Sequence, residues 1–136
     1  MSVTARKIAT IVRCIERARE ERVAAGQGFS KDYSRQDAAI LNITRACEAA
    51  VDLANMLIRK RRLGVPGDMK ESFFLLQRAA LITPELFERM KGMVGFRNLA
   101  IHQYQDINLE IVEAILRKDL DDLLALAQVL RPHLDQ

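Results

Sequence analysis

Arg97, Asn98, His102 and Tyr104 fall within one segment, Arg97-Asn98-Leu99-Ala100-Ile101-His102-Gln103-Tyr104, which gathers the side chains in this sequence best suited to chemistry. An imidazole, with an intrinsic pKa of about 6.5, can give or take a proton near neutrality. A guanidinium is charged at every accessible pH, and its planar fork fits a phosphate bidentately. Asn98 can orient such groups by hydrogen bonding. A phenol, with a pKa of about 10, can touch a phosphate but is a poor base at pH 7. Tyr33 is the only other tyrosine and has no comparable surroundings, so a structural role is expected for it.

Helical phase limits what these groups can do together. At 100° per residue, Arg97 lies within about 20° of Leu86 and Met90 and about 40° of Met93. A charge in line with an apolar stripe must be paired or must face a site. Arg97 and His102 are about 140° apart on an ideal helix, so one helix cannot aim both at one atom. They converge only if the helix ends between them or if two copies meet across a symmetry axis. Read on their own, the same residues more readily describe a surface histidine and an interface arginine, and a plain helical dimerisation module with Arg97 paired to Asp106 or Glu110 is a further reading.

The elements that must hold this segment are helical. Leu and Ala supply 34 of 136 residues, Gly contributes 6, Pro 3 and Trp none, and no run alternates as a half-buried strand would. The chain is one domain over residues 1–136, an all-α antiparallel bundle of about five helices. The first helix runs from about Val3 to Ala24, burying Ile8, Ile11, Val12, Ile15 and Ala18, and stops at Gly26-Gln27-Gly28. Ser34 caps a second helix, with Asp37 three residues on as in a variant capping box, and it reaches Arg61. That helix buries Ile40, Leu41, Ile43, Cys47, Val51, Ala54 and Leu57. Gly64-Val65-Pro66-Gly67 turns the chain into a short helix begun by Asp68, with Phe73, Leu76 and Ala80 inward. Thr83-Pro84 starts the fourth, which extends towards Ala100. Asn108 caps the last, which ends before Pro132. Gly92 and Gly95 inside the fourth helix open a smooth patch for a second helix or subunit, or mark a helix fraying towards its end.

Composition excludes several classes. Cys14 and Cys47 have no CxxC partner, and His102 and His133 complete no zinc spacing, so reduced buried thiols and no metal site are expected. No cofactor motif is present. No apolar run approaches the ~18 residues of a membrane span, and a soluble, cytoplasmic protein is expected. The net charge of +3 is uneven: residues 1–63 hold 13 Lys/Arg against 7 Asp/Glu, and residues 64–136 hold 8 against 11. An anionic partner for the first half is expected, and Arg59-Lys60-Arg61-Arg62 is a candidate phosphate-binding cluster, although cations at a helix C-terminus also simply complement the helix dipole.

Arg97 through Tyr104 matches the R-x4-H-x-Y signature of the HEPN superfamily of all-helical ribonucleases. Lys91-Gly92-Met93-Val94-Gly95-Phe96-Arg97-Asn98, Asn108-Leu109-Glu110-Ile111-Val112, and Leu41-Asn42-Ile43 through Ala54-Asn55 resemble the HepT toxins, so that the likeness covers nearly the whole chain. The resemblance implies a two-fold homodimer whose two motifs share one groove, the convergence a single helix cannot provide. It implies a metal-independent endoribonuclease toxin of a type VII toxin–antitoxin system, attacking through the RNA 2′-hydroxyl. Arg97, Asn98 and His102 would then be catalytic, and Arg59, Lys60, Arg61 and Arg62 would bind RNA. It further implies a MntA-type minimal nucleotidyltransferase antitoxin that silences the enzyme by AMPylation of Tyr104. The alternative is a non-catalytic HEPN companion of a nucleotidyltransferase, holding nucleotide or substrate.

Overall fold

The computed structural model describes every residue from Met1 to Gln136 and contains helices and turns with no strand. Helix α1 spans Val3–Ala25 and begins where the Ser2 hydroxyl accepts from the Ala5 amide. It ends at Gly26, whose φ of 58° suits only a residue without a side chain. A 3₁₀ segment over Gly26–Lys31 follows and buries Phe29 under the Arg22 guanidinium.

Helix α2, Tyr33–Arg61, is the spine of the molecule, about 44 Å long at 1.5 Å per residue. Its cap is Asp32 rather than Ser34, because the Asp32 carboxylate accepts from the Arg35 amide and starts the helix two positions early. Lys7 with Asp52 at one end and Arg35 with Glu21 at the other make α1 and α2 antiparallel neighbours. Glu21 is buried between Arg17 and Arg35, and the Arg35 hydrogen bond leads in holding its carboxyl below the ordinary range. Ile11, Ile15, Ala18, Ile40, Ile43, Cys47, Val51, Ala54 and Leu57 meet in the core as expected, and both thiols are buried and free. Two expected core residues are not there. Val12 is partly solvent-exposed and Leu41 is 47% exposed, Leu41 because it lies on the α2 face that also carries Asp37 and Glu48.

Helix α3 (Met69–Arg78) is capped by Asp68 and buries Phe73 and Leu76, while Ala80 falls outside it at a φ of 60°. Helix α4 (Pro84–His102) starts at Thr83, whose hydroxyl accepts from the Leu86 amide at 3.1 Å, and continues past Ala100 to His102. Asn108 caps the final rod, which comprises α5 (Leu109–Ala114), a π-helical turn (Ile115–Asp119) and α6 (Leu120–Leu134). A π turn leaves carbonyls off the regular ladder, and the Leu116 carbonyl accepts from Arg19 Nε at 2.8 Å. The rod runs through Pro132 instead of ending before it. The carbonyl that loses its partner, on Gln128, sits at an exposed position where water can satisfy it.

The five-helix bundle expected from the sequence is present, with the π turn as its one irregularity. The charge split is partly resolved inside the molecule. Arg19 and Arg22 of the basic half pair with Asp121 and Glu113 of the acidic half, tying α1 to the last rod. No helix is long and apolar enough to cross a membrane.

Candidate functional site

Helix α4 carries the motif along the side of α2. Leu86, Met90, Met93, Phe96 and Ala100 are buried and fix its rotation. With the helix so oriented, Arg97 leaves the apolar stripe towards Glu48 of α2. Its Nε and Nη2 donate to Glu48 Oε2 at 3.1 and 2.8 Å, and its Nη1 donates to Asn98 Oδ1 at 3.2 Å. The charge on the stripe is therefore paired, with Glu48 and not with Asp106 or Glu110. A guanidinium has five N–H donors, and these contacts engage three. One hydrogen on each Nη remains, so the outer end of the fork is free. The Arg97 side chain is 18% exposed, enough to offer that end to a ligand.

Beneath it lies the Cys47 thiol, pushed up to about 12 by burial, against an opposing pull from the Arg97 charge. The thiol stays neutral, and the floor under the guanidinium is closed to solvent at this side chain. Above it, Asp68, Met69 and Lys70 from the start of α3 line a shallow cleft of about 350 Å³ together with Arg97 and Asn98.

His102 is the last residue of α4, exposed, with neither ring nitrogen engaged in a hydrogen bond to another residue. Because α4 continues through both residues, Arg97 and His102 of one chain diverge by about 140°. Gly95 lies within about 20° of His102 on the helix, and Gly92 within about 80°. A methyl group built on either glycine would meet nothing within 4 Å. Gly95 is therefore on the same side of α4 as His102 and partly open, whereas Gly92 turns towards the last rod and lines a cleft with Ile111, Ile115, Asp119 and Asp122.

Tyr104 sits in the 3₁₀ turn Tyr104–Asp106 that follows α4. Its phenol donates a hydrogen bond to Asp37 Oδ1, on the second turn of α2. Burial first, then the Asp37 hydrogen bond and charge, raise the phenol above its ordinary pKa and keep it protonated. The ring remains 43% exposed. Arg97 to Glu48 and Tyr104 to Asp37 also establish that α4 runs antiparallel to α2.

Arg59, Lys60, Arg61 and Arg62 are not gathered with these groups. They end α2, about 16 Å or more along the helix from Glu48 and about 33 Å or more from Asp37. Lys60 donates to the Leu134 carbonyl at 3.0 Å, and Arg61 meets His133 Nδ1 at 3.0 Å and Gln136 Oε1 at 3.2 Å. Those two cations hold the end of α6. Tyr33 starts α2 and is 72% exposed, outside the core.

Asp37 and Glu48 were not singled out as site residues by the sequence. The available signal was their spacing: eleven residues apart, they share one face of α2 within about 20°. Nothing in the sequence alone says that this face looks at α4.

Comparison with known proteins agrees with the geometry. A family model described as ribonuclease HepT-like matches residues 11–130. The chain is 42% identical over 125 residues to the mRNA nuclease HepT of Shewanella oneidensis, covering 92% of this chain and 93% of that one. A shorter match, 31% identical over 61 residues, is to the tRNA nuclease HepT of Aphanizomenon flos-aquae, covering 45% of this chain and 42% of that one. The tri-AMPylated Shewanella oneidensis HEPN toxin, solved in complex with MNT antitoxin, superposes with a TM-score of 0.90 at 41% identity, over 97% of this chain and 99% of that one.

Proposed function

Since this chain belongs to the HepT-like ribonuclease family, we propose that it is the toxin of a toxin–antitoxin pair and cuts RNA without a metal ion, in the cytoplasm, at a site built by two copies of the chain. RNA carries its own nucleophile. The 2′-oxygen attacks phosphorus as its proton passes to a base, the bond to the 5′-oxygen breaks, and that oxygen takes a proton from an acid. The products are a 2′,3′-cyclic phosphate and a 5′-hydroxyl. His102 moves the protons, with the two copies dividing the roles of base and acid. The free end of the Arg97 fork holds the non-bridging oxygens and stabilises the charge that grows on them. Asn98 and Glu48 fix the fork in place.

The observation that carries this reading is the division of the Arg97 donors: three engaged by Glu48 and Asn98, two facing outward, with an unpartnered His102 on the same helix. The divergence of Arg97 and His102 is resolved by a two-fold axis. Arg97 lies about 140–160° from Gly92 and Gly95 on α4, so the shared face is the one between Arg97 and His102. The exposed Ile101 sits there, about 40° from Arg97, and His102 of one copy can approach Arg97 of the other. Leu41, exposed on the α2 face that carries Glu48, adds apolar surface on the Arg97 side.

The antitoxin is a MntA-type nucleotidyltransferase that transfers AMP from ATP to Tyr104. The phenol is partly exposed, its hydroxyl is held by Asp37, and it lies two residues from His102. Each AMP adds about one negative charge and a bulky nucleoside, which repel and block an anionic substrate. A ribonuclease family leaves the reading as a non-catalytic companion subunit without support. The deciding experiment is cleavage of defined RNAs by wild-type and His102→Ala protein with analysis of the new ends. Cyclic phosphate ends from the wild type and none from the variant support the site, and unchanged turnover by the variant removes it.

A further inference from the structure

The cations of the basic first half are not equivalent once their partners are known. Lys7, Arg17, Arg19, Arg22 and Arg35 each pair with an acid, and Lys60 and Arg61 are held by the end of α6. Arg13 and Arg45 make no ion pair and no side-chain hydrogen bond, and both are exposed. They line one polar groove of about 290 Å³ between α1 and α2, together with Thr10, Asn42 and Glu48. Glu48 is also the residue that grips Arg97. Arg45 stands one turn before Glu48 on α2, a spacing at which helical side chains are neighbours. On the other side of Arg97, the cleft at the start of α3 presents Lys70, likewise exposed and unpaired.

We propose that Lys70, Arg97, Arg45 and Arg13 form a track that crosses α3, α4, α2 and α1 in turn and binds successive phosphates of a single-stranded RNA, with the scissile phosphate at Arg97. The inference rests on the ribonuclease reading above and adds the path of the substrate to it. Neighbouring packed helices lie 8–10 Å apart, a step that long Arg and Lys side chains shorten to the spacing of consecutive phosphates. Asn42, whose amide gives one hydrogen to the Ala38 carbonyl, keeps a second as a neutral donor between the cations. Glu48 orders Arg97 at the centre of the track, and with Lys7, Asp52 and Asp68 included the two clefts hold five cations against three carboxylates, so the strand meets a net positive charge. Cations spaced along a strand contact its phosphates, so the track recognises backbone rather than sequence.

The test uses the full-length protein and an oligoribonucleotide with 2′-O-methyl groups, which cannot be cleaved, with binding followed by fluorescence anisotropy across a salt series. For single strands, log K falls with log salt by about 0.7 per phosphate contact. The Arg13→Gln/Arg45→Gln variant should lose about 1.4 from that slope, equivalent to about 25-fold weaker binding at 0.1 M salt. Arg117→Gln/Lys118→Gln removes the same charge from the α5 side of the molecule and should leave the slope unchanged. Equal losses in the two double variants mean a general charge effect and overturn the track. So does weakened antitoxin binding with RNA binding intact, which would make the groove a protein contact. His102→Ala keeps the two proposals apart. If it still cleaves, the catalytic reading fails while the slope change stands; if cleavage is lost but the slope never changes, the track fails alone.

Discussion

Replacing Glu48 by alanine separates holding the guanidinium from binding the substrate. In the native structure the Glu48 carboxylate accepts two hydrogen bonds from Arg97 with its side chain 40% exposed and that of Arg97 18% exposed. Charge-assisted hydrogen bonds contribute roughly 1.5–3 kcal/mol each when buried, and solvent screening at this exposure reduces the pair to about 1–1.5 kcal/mol. If that energy keeps the fork in its productive rotamer, its loss lowers kcat about tenfold. The same substitution removes a negative charge beside the scissile phosphate, so KM should fall rather than rise. Glu48→Gln retains a neutral acceptor for Nε and Nη2 and should recover most of kcat. Stability follows the same pair: a loss of about 1 kcal/mol lowers Tm by roughly 3–5 °C in a domain of this size. Cleavage of a defined RNA under multiple turnover, alongside thermal unfolding of the same preparations, reads all three effects. A Glu48→Ala protein with native or raised kcat, or one in which glutamine is no better than alanine, refutes the positioning role.

Other outcomes follow from the same site. His102→Ala should lose cleavage by at least a hundredfold while light scattering shows an unchanged dimer, since the exposed imidazole makes no hydrogen bond that holds the fold. Intact-mass measurement after incubation with the antitoxin and ATP should show adenylate additions that vanish in Tyr104→Phe; their persistence would move the acceptor elsewhere. The Tyr104 pKa is raised, so folding favours the protonated phenol: its contribution to stability is fully present below about pH 10 and is lost as pH climbs through the folded pKa. In a Tyr33→Phe background, ultraviolet titration should find the remaining phenol above the ordinary range, and Asp37→Asn should bring it down. EDTA should leave the cleavage rate unchanged, and complete loss of activity would point to a metal-dependent reaction.

Periodicity and capping residues determine the helices of this chain, because backbone propensity and the apolar stripe are local properties. Thr83-Pro84 and Asn108 start helices where their hydrogen bonding requires, and the phase of Arg97 relative to Leu86 and Met90 demands a partner before any neighbour is known. The spacing of Arg97, His102 and Tyr104 likewise carries the family resemblance. The choices between local alternatives were not legible. Asp32 and Ser34 can each cap α2, and only the path of the preceding 3₁₀ segment selects Asp32. Leu41 fits the core stripe, yet packing rotates α2 so that this position is outside. The identity of the groups that hold the motif was decided by tertiary structure alone. Glu48 is 49 residues from Arg97 and Asp37 is 67 from Tyr104, distances over which a sequence records residue types but not contacts. Pairing also settled which cations are free, since a charge's availability depends on whether a distant acid folds back onto it.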